Sequence, residues 1–281
     1  MRKTFLFLVF SLSALLIFLS SLWFFNTGSV SSVSFLLLGV IAFLKCLIYL
    51  LTGNLRVPAF KKVLIFLVLG GLIGVLIFDL PVIYIFKAWS YPFTNFWVYL
   101  LVSLPGWAAF FLVFYDSFKL LHIALDKEYH HLGITKIKEE KALDNFFSYL
   151  GLAGLVVFIA SISLLGLGAQ RFLMASLGAV GAWFILENIE WQKTRRTFLS
   201  DMIHGHFEPL FAMIIGSAIF GILFEVLNHW APHKNWVYYD LPWTSFQILG
   251  VPLFLIFSWI WMYIIFLSIY NIIYKEKNLW D

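Results

Sequence analysis

Two acidic residues stand at matching places in the two halves of this chain, and each is followed by the same aromatic and proline residues. Asp79, Trp89, Tyr91 and Pro105 correspond to Glu225, Trp236, Tyr238 and Pro252. The last three pairs share an offset of 147 residues (89 to 236, 91 to 238, 105 to 252), and the acids are offset by 146 (79 to 225). The match runs upstream without a gap, from Gly70-Gly71-Leu72-Ile73 onto Gly216-Ser217-Ala218-Ile219. Apolar positions match cheaply in a chain rich in Phe, Leu and Ile, whereas Trp, Tyr, Pro and a carboxylate do not. A carboxyl group in a poorly hydrated, apolar setting keeps its proton to higher pH and can serve as an acid. Aromatic ring faces beside it can stabilise a cation.

The elements that must position these residues are transmembrane helices. Hydrophobic residues make up 62% of the 281, charged residues only 12%, and mean hydropathy is +0.92; a soluble domain carries about twice that share of charge. Apolar runs long enough to span cover 4–25, 33–52, 63–86, 96–121, 146–167, 171–191, 207–229 and 245–274. No ten-residue alternation of the barrel kind occurs, so the expectation is an all-α integral membrane protein of about eight transmembrane helices.

Basic residues then fix the expected sidedness. With the N-terminus inside, the inner segments hold Arg2 and Lys3; Arg56, Lys61 and Lys62; Lys127, Lys136, Lys138 and Lys141; Lys193, Arg195 and Arg196; and Lys275 and Lys277. The outer loops hold Lys87, Arg171 and Lys234. This asymmetry predicts a multi-pass protein of the cell membrane with both termini cytoplasmic and the acid-aromatic loops extracytoplasmic. It also accounts for the net charge of +4 without a nucleic-acid partner. The first apolar run lacks a small-residue cleavage site and reads as a retained helix. The one cysteine, Cys46, excludes an internal disulfide.

The charged stretch 122–145 separates two tandem four-helix repeats, residues 1–140 and 141–281. An even number of spans per repeat makes the repeats parallel, related by a pseudo-twofold axis along the membrane normal. Small residues at Gly70/Gly74 and Ser217/Gly221 predict that the third and seventh helices pack on each other at the centre, bringing Asp79 and Glu225 together.

Other polar residues have both a chemical and an architectural reading. Asn228 shares a helix face with Glu225; the pair is either catalytic or an interhelical hydrogen bond. Trp230, Trp236 and Trp89 either line a site or form the interfacial belt. Glu187, Glu190, His204 and His206 gather at the inner side as candidate ligands for a divalent metal or as a solvated helix end. Lys45, inside the second span, either pairs with a carboxylate or snorkels to the inner interface. Seven histidines on both membrane faces cannot form the eight-His cluster of membrane di-iron hydroxylases. There is neither a Gly-rich phosphate loop nor an Asp-Asp-x-x-Asp motif.

Glu225, Tyr238 thirteen residues on, Gly250-Val251-Pro252 and Trp259 seven beyond the proline form a pattern that resembles the carotenoid hydratases of the bacterioruberin pathway. An acid followed by Trp-x-Tyr and a proline-led helix also resembles the small membrane-embedded lycopene cyclases. The likeness covers residues 216–262, with a degenerate copy at 70–116. The chain departs from the cyclases in having Pro252-Leu253-Phe254-Leu255 where they carry an acidic pair. It departs from the hydratases in having Asn228 and Trp236 where they have glycines.

The resemblance implies an integral-membrane enzyme of isoprenoid or carotenoid modification, working without a cofactor on a lipid-dissolved polyene by acid-initiated hydration, cyclisation or isomerisation. Glu225 and Asp79 would supply the acid, with Asn228 and Tyr238 beside them. Trp230, Trp236, Trp259, Trp89 and Tyr91 would line the substrate. Two other expectations stay open: a proton-coupled transporter of a small solute or lipid, and a non-catalytic membrane scaffold.

Overall fold

The computed structural model describes residues 2–27, 30–53, 68–91, 95–126 and 140–274. The inner-loop residues Arg56, Lys61, Lys62, Lys127, Lys136, Lys138, Lys275 and Lys277, and residues 63–67 of the expected third span, lie outside them. Eight helices among the described residues are long and apolar enough to cross a membrane, so the chain is an all-α, multi-pass membrane protein. They are α1 (Arg2–Thr27), α2 (Val30–Thr52), α3 (Val68–Ile85), α4 (Phe96–Asp126), α5 (Glu140–Gly166), α6 (Arg171–Thr194), α8 (Glu208–Trp230) and α9 (Leu253–Tyr274). A one-and-a-half-turn helix, α7 (Phe198–Ile203), lies between α6 and α8. Two-residue strands β1 (Trp89–Ser90), β2 (Val237–Tyr238), β3 (Gln247–Ile248) and β4 (Val251–Pro252) occupy the loops.

The last span begins at Leu253 rather than at residue 245. Leu249 and Gly250 have φ of +53° and +82°, the backbone of a two-residue hairpin turn, and Pro252 supplies no amide for a preceding helical turn. The loop is pinned by Trp230, whose Nε1 donates to the Leu249 carbonyl at 3.0 Å. The counterpart of Pro252, Pro105, lies instead inside α4. The two copies of the acid-to-proline segment therefore differ in where the following helix starts.

Contacts divide the chain into two compact units. The first comprises residues 1–120, 222–238 and 248–251, and the second residues 121–221, 239–247 and 252–281. In the first, α1 and α2 are joined by the stacked pair Phe10–Phe43, with centroids 4.7 Å apart. Helix α3 meets α4 through its glycines: a Cβ on Gly71 would lie 2.5 Å from the Leu104 carbonyl oxygen, and one on Gly74 would lie 2.3 Å from Trp107 Cγ. In the second unit, α5 and α6 cross at Gly154 and Gly181, where a Cβ on either would fall within 2.7 Å of the other's carbonyl oxygen. Gly221 faces Ile256 and Trp259 of α9.

The expected packing of the third helix on the seventh through their small residues is thus corrected. Each small-residue face meets the next long helix in the chain. Glycines permit close approach, but the partner is chosen by the bulky residues that fill the groove, here Trp107 and Trp259.

Helix α3 is not a regular α-helix around its acid. Residues Gly74–Asp79 and Pro81–Ile85 are π-helical, with the Leu80 amide bonded to the Val75 carbonyl five residues back. Pro81 cannot donate and its ring displaces the preceding turn, so the wider turn re-satisfies the backbone. One extra residue rotates the remainder of the helix by roughly 100°, and this sets the direction from which Asp79 leaves it.

Candidate functional site

The first unit gathers both acids of the repeated motif, each buried and each held by aromatic donors. Asp79 is fully buried. Its Oδ1 accepts from Tyr91 Oη at 2.9 Å, and its Oδ2 accepts from Tyr99 Oη at 2.9 Å and from Trp107 Nε1 at 2.6 Å. Glu225, 2% exposed, accepts from Tyr238 Oη at 2.6 Å on Oε1 and from Trp236 Nε1 at 3.3 Å on Oε2. The loop tyrosines at matching positions therefore serve matching acids. Trp89, the counterpart of Trp236, has its Nε1 buried near Asp79 but outside hydrogen-bond geometry.

The two loops are joined by the antiparallel pair β1 and β2, with Trp89 opposite Tyr238 and Ser90 opposite Val237. The Trp89 and Tyr238 rings meet edge to face at 6.1 Å. Below the strands, Phe78 stacks on Trp107 at 5.6 Å, and Phe110 bridges Trp107 at 6.0 Å to Phe224 at 4.8 Å. Phe78 and Phe224 are the residues immediately before the two acids. A chain of ring contacts thus runs from Trp107, which donates to Asp79, to Phe224, which precedes Glu225.

Both loop phenols stay protonated donors. Burial first, and the Asp79 carboxylate second, hold Tyr91 well above its ordinary value of 10.0. Burial and then Glu225 do the same for Tyr238.

Asn228 braces the loop that serves Glu225. Its Oδ1 accepts from the Asn235 amide at 2.9 Å and from the Trp236 amide at 3.4 Å, and its Nδ2 donates to the Trp236 carbonyl at 2.9 Å. It fixes the backbone at Trp236, from which the Trp236 and Tyr238 side chains reach the acid. Trp230, half exposed, is committed to the Leu249 carbonyl. Trp259 belongs to the second unit, buried against Gly221.

Tyr99 and Trp107 are absent from the sequence-derived set, yet they supply two of the three donors to Asp79. Their signal is a polar stripe, Tyr99-Ser103-Trp107, at i, i+4 and i+8 in an apolar span. Lys45 finds the partner that the sequence leaves open: its Nζ lies 2.6 Å from Oδ1 of the fully buried Asp116.

In the second unit, the four candidate metal ligands do not assemble as a metal centre. Among the described residues, no three of His, Cys, Asp and Glu are placed to hold an ion. Glu187 accepts from Trp183 Nε1 at 2.8 Å and from the Leu199 amide at 3.2 Å. The His204 ring meets the Ser200 carbonyl through Nδ1 at 2.5 Å. Thr197 and Ser200 cap α7 reciprocally, which turns the chain so that α7 presents its amide end to Glu187. Asp201 pairs with Arg196 at 2.9 Å, and burial raises its carboxyl above the ordinary 3.8 against the opposing pull of that guanidinium.

No protein family, curated protein or solved structure is significantly similar to this chain, so its functional reading rests on the chemistry of the site itself.

Proposed function

We propose that the protein is an integral-membrane enzyme that modifies a lipid-dissolved isoprenoid by acid-initiated hydration, cyclisation or isomerisation at the Asp79–Glu225 aromatic site. The observation that carries this reading is the presence, in one unit, of two buried carboxyl groups linked by a chain of packed aromatic rings. In the hydration form, Glu225 gives its proton to one carbon of a double bond, leaving a carboxylate and a carbocation. Trp89, Trp236 and Tyr238 offer ring faces to the cation. Water adds to the cation and its surplus proton returns to Glu225, so the net change is one water gained. Tyr238, a protonated phenol 2.6 Å from Oε1, orients the acid and stabilises the carboxylate that it becomes.

The repeat and the orientation belong to the same proposal. Ser90 and Val237, which pair in the ladder, are also equivalent under the 147-residue offset. An antiparallel contact centred on equivalent residues is what a twofold axis generates, and this supports two tandem parallel repeats, 1–140 and 141–281. The distribution of basic residues supports cytoplasmic termini and extracytoplasmic acid loops. Membrane lipid and the isoprenoid are the partners this reading requires.

At Asp79 one observation favours a packing role: three donors occupy its two oxygens. Glu225, whose two oxygens also accept hydrogen bonds, is assigned the proton donor and Asp79 the fixed partner.

The test is mass spectrometry of neutral lipids and pigments from a lycopene-producing bacterial host expressing the wild type or Glu225→Gln. A product shifted by one water, or an isomer of altered retention, present only with the wild type supports the reading. Identical profiles with both proteins in the membrane refute it for this substrate class.

A further inference from the structure

The isoprenoid reading leaves unused a polar cluster in the second unit. On α6, Glu187 and Glu190 lie three residues apart, with relative exposures of 0% and 1%. Both oxygens of Glu187 have donors. Glu190 does not have both: its Oε1 accepts from Asn271 Nδ2 of α9 at 2.6 Å, while its Oε2 is buried with no hydrogen-bond partner. Asn271, 2% exposed, also leaves its Oδ1 buried and without a partner.

Buried acceptors are almost always satisfied. Here two of them sit on two side chains already joined by one N–H···O bond, and both lack the same thing, a donor. One proton on Oε2 would answer both needs. It converts that oxygen from an acceptor into an O–H donor, and it supplies the donor that Asn271 Oδ1 lacks. A carboxylic acid and a primary amide can close a ring of two hydrogen bonds in this way, N–H to carbonyl in one direction and O–H to carbonyl in the other.

We propose that Glu190 and Asn271 form a proton-binding site, in which Glu190 holds an exchangeable proton against the amide oxygen of Asn271 inside the membrane. The surroundings favour a proton there. The charged groups that act on Glu190 are Glu187 and Asp201, both acidic, while the neutral Ser268 hydroxyl of α9 lies near it as a donor and, like the Asn271 amide N–H, acts in the opposite sense. Arg196 is engaged with Asp201, to which His204 and His206 also lie close. Asp144 of α5 is taken by Trp191 Nε1 and Arg195, and Glu208 is buried at the start of α8. Among the described residues, neither Glu187 nor Glu190 forms an ion pair. A buried carboxylate without a countercharge is costly, and acidic neighbours add repulsion that a proton removes.

The experiment is infrared spectroscopy of the purified protein in lipid at neutral pH, in H2O and in D2O, with thermal unfolding measured in parallel. The wild type should show protonated-carboxyl absorption that shifts down in D2O, and the component contributed by Glu190, separate from that of the Glu225 acid, should be lost in Glu190→Gln. Glutamine reproduces the two-bond ring, so E190Q should unfold within a degree or two of the wild type. In Asn271→Leu that component should move to higher frequency, because the acid has lost its amide partner. A folded E190Q that keeps the whole absorption overturns the proposal, as does an N271L component at the wild-type position. Stabilisation of the wild type, but not of E190Q, by sodium chloride over choline chloride also overturns it, by placing a metal cation where the proton is assigned.

Discussion

Replacement of Asp79 tests whether the aromatic cage is held by its carboxylate. Three donors converge on it: Tyr91 on Oδ1, and Tyr99 and Trp107 on Oδ2. In Asp79→Asn the amide oxygen takes the two-donor position, because the indole N–H can only donate. The amide NH2 then faces the Tyr91 hydroxyl, which can rotate to accept. The Trp107 and Tyr99 donors keep their acceptor and the Tyr91 hydroxyl exchanges donating for accepting, so the expected loss is about 1–2 kcal/mol from weaker, uncharged bonds. In Asp79→Leu the Trp107 N–H and the buried Tyr99 hydroxyl both lose their acceptor. At about 1–3 kcal/mol for each orphaned buried group, D79L should be less stable than wild type by about 2–6 kcal/mol. Thermal unfolding in one detergent, followed by tryptophan fluorescence, ranks the three proteins. Wild type above D79N above D79L is expected; D79L at or above D79N would show that the cage is held by packing alone.

Other consequences can be checked in the same assay. Asn228→Ala leaves the Asn235 amide and the Trp236 carbonyl without their acceptor and donor, so it should cost about 2–4 kcal/mol and loosen Tyr238 from Glu225, lowering turnover with the fold retained. Lys45→Met strands the carboxylate of the fully buried Asp116. It should cost about 3 kcal/mol, and the double variant K45M/D116N should recover most of the loss. The raised values of Tyr91 and Tyr238 fix a direction with pH: below 10.0, their ordinary value, both phenols are protonated folded or unfolded and their contribution is fully present. Above it the unfolded chain releases protons that the folded chain keeps, so stability falls with rising pH by up to about 1.4 kcal/mol per unit for each tyrosine. The double variant Y91F/Y238F should show a shallower decline in unfolding midpoint between about pH 9 and pH 11; an unchanged slope would place these phenols in water.

The amino-acid sequence by itself determined the class of the protein and the number of its apolar helices. Each span's transfer into hydrocarbon is a local sum over about 20 residues, and no other element satisfies the backbone there. It also determined the short-range half of the acid site. Tyr91, Trp236 and Tyr238 lie within 13 residues of the acids they bond, so a single helix end and its loop suffice to bring them together. The start of the last span was not legible in hydropathy, because the turn at Leu249–Gly250 lies in sequence almost as apolar as the helix after it.

Only the tertiary structure decided the long-range partners. Tyr99 and Trp107 reach Asp79 from the next helix. Lys45 finds Asp116 across 71 residues, and Asn271 finds Glu190 across 81. The glycines of α3 meet α4 rather than α8. In lipid the hydrophobic effect does not choose between neighbouring helices, since hydrocarbon is as apolar as leucine. The choice falls to shape and to the hydrogen bonds of a few polar groups, and those depend on which helix faces meet.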